Sequence, residues 1–338
     1  MKTILITGAG GLVGSESAAY FLESGHNVIG IDNDSREKFF GVSIQPNIQH
    51  LRDYSKYIHY NLDIRDLSVE DIFKGEKIDV IIHAAAQPSH DLASSMIFDD
   101  FDINAKATIQ LLEFTKRHCP QAVFIYTSTN KVYGDYPNKL NYKKSGYRYT
   151  PVDHAPFNES TPIDGQLHSF FGCSKLAADL YCQEYGKNLG LNTCIFRLGC
   201  ITGSRHKGAK LHGFLNYLVK SIAREQTYEI IGYDGLQVRD NIHARDLVLA
   251  FENVINKPVK GEVFNLGGAS FSNCSILEAI HLSESILDKK SHIIVNPSER
   301  TGDHIWYISD ISKFQNRYPN WKLNYNTTQI IKEIAKNL

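Results

Sequence analysis

The stretch Thr3-Ile4-Leu5-Ile6-Thr7-Gly8-Ala9-Gly10-Gly11-Leu12-Val13-Gly14 decides how this chain folds. Its first five residues are mostly apolar and β-branched, which predicts a buried strand. The glycines follow at once, and Ser15 to Ser24 then has the composition of a helix that Gly25 ends. A strand, a glycine turn and a helix in this order predict the first unit of a parallel α/β sheet.

The glycine turn also predicts a binding site for a dinucleotide. Gly8 and Gly11 would allow a tight turn and a close approach of the backbone to a pyrophosphate, and Gly14 would allow close packing of helix on sheet. Leu12 and Val13 lie in the same glycine turn, just before the predicted helix, whose N-terminus offers free N–H groups and a partial positive charge to phosphates. The alternative is a glycine-rich turn that only caps a helix, but the strand before it and the helix after it favour the site.

Asp32 ends the second apolar run, Val28 to Ile31, and lies eighteen residues after Gly14. Its carboxylate can accept hydrogen bonds from both ribose hydroxyls and would repel a 2′-phosphate, so NAD is predicted in preference to NADP. Arg36 is close enough in sequence to weaken that preference. Asn33 and Arg36 are therefore included in the predicted cofactor site.

Two further strand ends contribute to the predicted cofactor site. Asp63 and Ile64 follow a third strand, where an acidic side chain can meet the adenine amino group; a simple helix cap is the alternative. Ala84, Ala85 and Ala86 follow the apolar run Val80 to His83, and such small residues let the backbone come close to a dinucleotide. His83 itself is assigned no chemistry.

Alternation of strands and helices continues as far as Thr193 to Arg197 and predicts the α/β class, with a Rossmann-type doubly wound parallel sheet. Residues 134–167 lack periodicity, which indicates a long surface excursion. After about residue 199 the alternation becomes irregular, which predicts a smaller C-terminal α+β substrate domain. The predicted boundaries are 1–198 for the NAD-binding Rossmann domain, which 236–256 rejoins, with 199–235 and 257–338 for the nucleotide-sugar-binding domain.

Composition excludes several classes of function. The 338 residues are 42% hydrophobic and have a net charge of −1, with no basic cluster for nucleic acid or a membrane surface. The six cysteines form no CxxC pair and no metal-ligand spacing, which predicts no metal and reduced thiols in a cytoplasmic protein. The first apolar run is too short for a signal peptide, and no run approaches the length of a membrane span.

The motifs together resemble the extended short-chain dehydrogenase/reductase family of NAD-dependent epimerases and dehydratases, over essentially the whole chain. The residues that carry the resemblance are Gly8, Gly11, Gly14, Asp32, Asp63, His83-Ala84-Ala85, Asn104, Thr129 and Lys175. The resemblance implies NAD as cofactor, a nucleotide sugar as substrate and a homodimer or higher homo-oligomer. It also places Asn104, Thr127 and Lys175 at the cofactor, and Gln87 and His168 at the substrate.

In that family a Ser or Thr, a Tyr and a Lys act together. The Tyr takes a proton from a sugar hydroxyl, the Lys lowers the pKa of the phenol and holds the cofactor ribose, and the Ser or Thr binds the reacting oxygen. Thr129 and Lys175 match two of these positions, so they are the predicted catalytic residues. Phe171 stands where the resemblance expects the Tyr.

Three interpretations of Phe171 stay open. It is a deliberate Tyr→Phe substitution, which keeps the ring and removes the proton carrier. It is a natural departure, in which another group or a water carries the proton. Or the protein is a natural binder without catalytic activity. Loss of a positioned acid–base group typically lowers a rate ~10²–10⁴-fold, so residual activity is compatible with the first two.

Several polar residues are predicted on the substrate side. In the family's 4,6-dehydratases the residues after the Thr are acidic; here they are Asn130 and Lys131, which argues for epimerisation or simple oxidation–reduction and against water loss. Arg239 and Arg300 are candidates for the substrate's diphosphate, because a planar guanidinium binds two phosphate oxygens at once. Surface ion pairs are the alternative for both. Arg205 follows Thr202-Gly203, in a stretch that usually lines the nucleotide pocket.

The strings Ser128 to Asp135, Gly232 to Asp240 and Phe264 to Gly268 are similar to those of family members that invert C2 of a CDP-hexose. The resemblance therefore implies C2 inversion through transient oxidation to a keto sugar and re-reduction, with a CDP-hexose favoured. A 4-epimerase or keto-sugar reductase acting on another nucleotide sugar is one alternative. A non-catalytic protein that binds NAD or a nucleotide sugar is the other.

Overall fold

A computed structural model describes residues 1–153, 155–206, 208, 213–299 and 302–338 of the chain. Most of its strands coincide with the apolar runs of the sequence. In chain order the strands are β1 (Thr3–Thr7), β2 (Asn27–Ile31), β3 (Tyr57–Tyr60), β4 (Val80–His83), β5 (Val123–Thr129), β6 (Tyr142–Ser145), β7 (Arg148–Pro151), β8 (Asn192–Leu198), β9 (Cys200–Thr202), β10 (Thr227–Ile231), β11 (Val238–His243), β12 (Glu262–Leu266), β13 (Asn273–Ser275) and β14 (His292–Asn296).

Helices follow most of these strands. In chain order they are α1 (Leu12–Glu23), α2 (Ser35–Phe40), α3 (Gln45–Arg52), α4 (Val69–Gly75), α5 (His90–Ser95), α6 (Ile97–Phe101), α7 (Ala107–His118), α8 (Phe170–Lys187), α9 (Phe214–Ala223), α10 (Ala244–Asn256), α11 (Ile276–Leu287), α12 (Ser312–Arg317) and α13 (Thr327–Lys336). A π-helical turn, Asp102–Lys106, joins α6 to α7, and short 3₁₀ turns cover Asn130–Tyr133, Tyr136–Lys139 and Tyr233–Gly235.

Within the described residues, seven strands form one parallel sheet in the order β3-β2-β1-β4-β5-β8-β12. Every pairing in this large sheet is parallel. The strand order runs outward in both directions from β1 and β4, and ligands of such sheets bind at this point, beyond the carboxyl ends of the strands. The predicted doubly wound α/β fold is confirmed.

Both faces of the large sheet are buried, which explains why its strands are apolar without alternation. Ile4 and Ile6 of β1 face one core, together with Phe21 of α1 and Phe251 of α10. Leu5 faces the opposite core, which contains side chains of α7 and α8. Burial of each such side chain contributes roughly 1.5–3 kcal/mol, so the two cores hold the strand ends, and the loops that follow them, in fixed positions.

The C-terminal part of the chain forms a smaller layer with its own core. Side chains of α9, α11 and α13 pack there against β10, with Leu218, Ile280 and Ile331 at the centre. Strand β10 pairs with β14 in parallel, and β11 pairs with β9 in parallel and with β13 in antiparallel orientation. This mixture of short strands and helices is the α+β layer that was predicted.

One predicted domain boundary differs from the structure. The sequence suggested that only residues 236–256 rejoin the first domain, but β12 also lies in the large sheet, at the edge beside β8. Phe314 of α12 is buried in the same core. The returning segment therefore extends past residue 256, because the apolar face of β12 completes the sheet. The remaining boundaries stay predictions.

The excursion at residues 134–167 is more regular than its composition indicated. Strands β6 and β7 form an antiparallel hairpin that Gly146 and Tyr147 connect. Gly146 has a φ of +60°, which only glycine adopts without strain, and a glycine at the first of two loop residues is typical of a tight hairpin turn. The hairpin contacts the C-terminal layer through an ion pair between Arg148 and Glu278.

Candidate active site

A cleft of about 660 Å³ opens beyond the carboxyl ends of the strands of the large sheet. Residues of β10 and β11 also line it, so it lies between the large sheet and the C-terminal layer. Its volume suits a small organic ligand. The predicted site residues that line it are Gly8, Gly11, Leu12, Val13, Gly14, Asp32, Asn33, Arg36, Asp63, Ile64, Ala84, Ala85, Ala86, Thr127, Thr129, Asn130, Lys131, Phe171, Lys175, Arg205 and Arg239.

The glycine turn between β1 and α1 leaves no room for side chains. Gly8 has a φ of +71°, and a Cβ on it would lie 2.7 Å from the backbone nitrogen of Ala85. A Cβ on Gly14 would lie 2.0 Å from the carbonyl oxygen of Gly8. No side chain of the described residues caps the N-terminus of α1, which follows Gly11. The turn is therefore a bare cradle of backbone with helix N–H groups at its edge, which fits a pyrophosphate.

Asp32 lies at the end of β2, beside the glycine turn. Its two carboxylate oxygens accept the backbone N–H groups of Gly10 and Asp34, each at 2.9 Å. Burial raises the pKa of Asp32, although these hydrogen bonds oppose the shift. Arg36 lies above the ring of Phe40, with 5.0 Å between the guanidinium carbon and the ring centroid. Each carboxylate oxygen keeps acceptor capacity for a ribose hydroxyl.

Asp63 is already engaged by its neighbours. It accepts hydrogen bonds from the Arg65 backbone N–H and guanidinium at 2.8 to 3.0 Å and from Asn33 Nδ2 at 2.9 Å. Burial disfavours its charged form, but the bonds from Arg65 and Asn33 hold the pKa of Asp63 below its usual value. These four bonds use the acceptor capacity of the carboxylate. The predicted contact with an adenine amino group would therefore require one of them to break.

The end of β4 is held by a buried histidine. His83 Nδ1 lies 2.7 Å from Thr7 Oγ1, and its Nε2 lies 2.9 Å from Thr108 Oγ1. Burial lowers the pKa of His83 to about 3, so the ring is neutral and links strand to helix. Thr127 Oγ1 donates to the carbonyl oxygen of His83 at 3.0 Å. These bonds fix Ala84 and the residues after it against the glycine turn, which gives His83 a structural role.

Asn104 belongs to the π-helical turn, a feature often found at functional sites. Its Nδ2 donates to Asp100 Oδ1 and Gln87 O at 3.0 Å and to Ser174 Oγ at 3.1 Å, and its Oδ1 accepts the Gln87 N–H at 3.0 Å. Asp100 is almost fully buried, which raises its pKa. This network joins three helical segments behind the cleft, and Asn104 does not line the cleft itself. The sequence carries no signal for the part that Asp100 and Ser174 play in it.

Thr129, Phe171 and Lys175, the predicted catalytic positions, all line the cleft. The helix α8 begins at Phe170 because Ser169 caps it, and this places Phe171 one turn before Lys175 on the same face. Lys175 Nζ donates to Thr127 O at 2.7 Å and lies 4.3 Å from the centroid of the Tyr126 ring. Burial lowers the pKa of Lys175 to about 8, so at neutral pH it remains mostly protonated.

A cluster of charges lies on the substrate side of the cleft. Arg239 pairs with Asp303 at 2.8 Å and also donates to the carbonyl oxygen of His304 at 2.6 Å. Lys131 Nζ donates to Gly302 O at 2.9 Å and lies 3.8 Å from the carboxylate of Asp303. The two cations therefore meet at one carboxylate. Asp303 was not predicted, although it lies in the same segment as Arg300.

Gln237 Oε1, Asn241 Oδ1 and His304 Nδ1 are among the buried polar atoms that have no hydrogen-bond partner among the described residues. Gln237 Nε2 donates to Ile231 O, which leaves its Oε1 as an unused acceptor, and Asn241 Oδ1 is left in the same way. His304 Nε2 donates to Gly134 O, so its Nδ1 is an acceptor, and burial lowers the pKa of His304 well below its usual value. All three residues line the cleft.

Other predicted substrate residues are placed away from the cleft or face another partner. Gln87 is fully buried and bonds to Ser89 and Asp100, and it does not line the cleft. His168 bonds to the carbonyl oxygen of Ile163 and likewise does not line it. Arg205 lines the cleft, but its guanidinium pairs with Glu16 at 3.3 Å on the side of α1. Arg300 lies outside the described residues.

Comparisons with known proteins agree with this geometry. Residues 4–267 match the model of the NAD dependent epimerase/dehydratase family. The chain belongs to this family. It is 32% identical over 322 residues to CDP-paratose 2-epimerase from Salmonella typhi, with 93% of this chain and 92% of that protein covered. It is 27% identical to dTDP-glucose 4,6-dehydratase from Haemophilus influenzae, with 96% and 89% covered.

Solved structures are similar over nearly the whole length. UDP-glucuronic acid 4-epimerase from Bacillus cereus, in complex with UDP-glucuronic acid and NAD, has a TM-score of 0.81 and 26% sequence identity. The match covers 99% of this chain and 98% of that one. That structure contains NAD, and the family is NAD-dependent. Together with the bare glycine cradle beside Asp32, these findings identify NAD as the cofactor of this chain. The predicted resemblance and cofactor are thus confirmed.

Two further observations concern the described residues as a whole. None of their helices combines the length and the apolar character that a membrane span needs. They also contain no group of three or more His, Cys, Asp or Glu side chains placed to hold a metal ion.

Proposed function

We propose that this chain is an NAD-dependent nucleotide-sugar epimerase that inverts C2 of a CDP-hexose. The observation that carries the proposal is that Thr129 and Lys175 line the same cleft as Lys131 and Arg239, the two cations that share the carboxylate of Asp303. Similarity to CDP-paratose 2-epimerase supports C2 as the position and CDP as the nucleotide. The predicted homo-oligomer stays a prediction.

Inversion at C2 of a sugar requires an oxidised intermediate, because the C2 hydrogen has no neighbouring carbonyl to make it acidic. Direct removal of that hydrogen as a proton would be too slow. When bound, NAD supplies the acceptor, and later the donor, of the carbon-bound hydrogen with its electron pair. The chain then has to bind the sugar, control one proton on the reacting oxygen, and let the keto sugar present its other face.

The side chains of the cleft have distinct roles in this proposal. The Thr129 hydroxyl donates a hydrogen bond to the reacting oxygen. Lys175, protonated at neutral pH and held by Thr127 O, provides a positive charge beside the place where the oxygen loses its proton. Arg239 and Lys131 bind the diphosphate. Without a ligand, the carboxylate of Asp303 is the partner of both cations, and the diphosphate displaces it.

Water loss from the sugar is disfavoured by the residues after Thr129. Elimination at C5 and C6 needs an acid and a base at that position. Asn130 is an amide and has no proton to exchange near neutral pH. Lys131 is engaged by Gly302 and Asp303. Epimerisation therefore suits these side chains better than the dehydratase reaction of the Haemophilus influenzae relative.

Phe171 lowers the activity of this form, because a phenyl ring cannot accept the hydroxyl proton. A paired assay tests the proposal: this chain and its Phe171→Tyr variant are incubated with NAD and CDP-paratose, and separately with UDP-, GDP- and dTDP-sugars. NMR then detects inversion at any carbon. We expect C2 inversion of the CDP-sugar by both forms, faster in Phe171→Tyr than in the unsubstituted chain. Inversion at C4 of another nucleotide sugar, or no turnover by either form, would reject the proposal.

A further inference from the structure

His90 is the side chain of the cleft that lies directly against Phe171. It begins α5 and lines the cleft together with Thr129 and Lys131. Its ring centroid lies 4.8 Å from that of Phe171, with the rings inclined at 63° in an edge-to-face contact. The imidazole of His90 is thus in contact with the ring of Phe171, which occupies the position of the family's Tyr. The sequence pattern assigned no role to His90.

The orientation of the His90 ring is fixed by helix α8. His90 Nδ1 lies 2.9 Å from Ser169 Oγ, and Ser169 Oγ accepts the backbone N–H of Gly172 at 3.1 Å as the N-cap of that helix. The capping hydrogen bond fixes the Ser169 hydroxyl, and the hydroxyl in turn fixes the orientation of the His90 ring. The backbone of Gly302 closes the same side, since a Cβ on Gly302 would lie 2.9 Å from His90 Nδ1. Nε2 is therefore the nitrogen on the side of the ring remote from Ser169 and Gly302.

We propose that His90 carries the hydroxyl proton of the sugar in place of the missing phenol; this inference rests on the proposed function. In the oxidation the C–H hydrogen leaves with its electron pair to NAD, and the O–H proton passes to His90 Nε2, so that a carbonyl and an imidazolium form. In the reduction the same electron pair and hydrogen return to the other face of the carbon. The imidazolium gives its proton back to the oxygen, and every atom and charge is restored.

The chemistry of the neighbouring groups leaves this role to His90. Imidazole is the side chain that most often accepts and returns a proton in general acid–base catalysis. The Lys131 ammonium has no lone pair while it is charged, and it is held by Gly302 O. Lys175 is mostly protonated at neutral pH and held by Thr127 O. Ser169 completes an arrangement in which a third group orients a base: in the tautomer with Nδ1 protonated, Nδ1–H donates to the hydroxyl and Nε2 is the acceptor.

Four forms of the chain test this role: the unsubstituted chain, His90→Gln, Phe171→Tyr and the double variant. Each is assayed for C2 inversion of CDP-paratose with NAD. His90→Gln alone should lower the rate by ~10²–10⁴-fold. The double variant should regain the rate of Phe171→Tyr within about tenfold, because a phenol then carries the proton. His281→Gln, an exposed histidine of α11, is the matched control and should leave the rate unchanged.

The outcomes separate this inference from the proposed function. If the double variant stays as slow as His90→Gln, His90 has a structural role and the inference is overturned. If only the forms that carry the Phe171→Tyr substitution act, and the unsubstituted chain is inactive, the inference falls while the function stands. If no form acts on any nucleotide sugar, both fall. Activity of the double variant also proves that replacement of His90 permits folding.

A measurement independent of turnover checks the placement. Long-range ¹H–¹⁵N NMR spectra resolve the ring nitrogens of His90, whose signals are assigned by their loss in His90→Gln. Addition of CDP-paratose should shift the Nε2 signal, while Nδ1, held by Ser169, should move less. An Nε2 signal that does not change with bound nucleotide sugar would show that the ring does not meet the substrate, which overturns the proposal.

Discussion

Replacement of Lys175 by Met should increase the stability of the chain at neutral pH while it abolishes turnover. The side chain is only 3% exposed, and burial lowers its pKa from 10.5 to about 8. Below pH 8 the folded chain therefore holds a buried charge that the unfolded chain exposes to water. A shift of this size corresponds to about 3 kcal/mol of destabilisation, at 1.36 kcal/mol for each pKa unit. The lost bond to Thr127 O offsets about 1 kcal/mol or more of the gain.

The pH dependence isolates the charge from the other effects of the substitution. Between pH 8 and 10.5 the unfolded chain still binds the Lys175 proton and the folded chain has released it, so the stability of the unsubstituted chain rises with pH relative to Lys175→Met. Between pH 7 and 10 the unsubstituted chain should gain about 2–3 kcal/mol in free energy of unfolding relative to Lys175→Met. Urea unfolding of both forms without NAD, at several pH values, measures it. A stability difference that does not vary over this range would refute the reasoning.

Two further substitutions separate the cofactor side of the cleft from the substrate side. Gly14→Ala should remove NAD binding, measured by calorimetry, because the new Cβ would lie 2.0 Å from Gly8 O. Gly75→Ala is the control and should bind NAD normally, because nothing lies within 4 Å of a Cβ at Gly75. NAD binding by Gly14→Ala would contradict the proposed backbone cradle. Arg239→Ala should weaken CDP binding by about 10–100-fold, as expected for loss of a charge-assisted bidentate contact, with NAD affinity unchanged. If Arg239→Ala weakens the binding of CDP and NAD equally, or weakens neither, Arg239 does not bind the diphosphate.

Local sequence was enough to predict the fold and the cofactor. The run of Thr3 to Gly14 contains a strand, a turn and a helix start within twelve residues, so nothing distant is needed to recognise it. Asp32 ends the next strand, and the register of β1 against β2 brings it to the turn. Parallel strands end at one edge of a sheet, so residues that follow strands meet there whatever their separation in the chain.

The family resemblance indicated Thr129 and Lys175, which line the cleft, and also Gln87, which does not. Gln87 has the polarity of a ligand contact, and the resemblance placed it at the substrate. Only the packing of the π-helical turn shows that its amide is used up inside the protein, by Asp100 and the backbone of Ser89. Polarity in a sequence indicates that a side chain needs partners, and it does not indicate whether they are protein or ligand.

Residues from distant segments meet through the tertiary structure alone. His90 and Phe171 are 81 positions apart, and Lys131, Arg239 and Asp303 come from three separate regions. No periodicity or motif spacing links them, because their contacts depend on how α5 packs on α8 and how the C-terminal layer closes over the sheet. The sequence by itself determined the cofactor and the missing phenol, through contiguous motifs. The arrangement of His90, Phe171, Lys131, Arg239 and Asp303 around the cleft was decided by long-range packing.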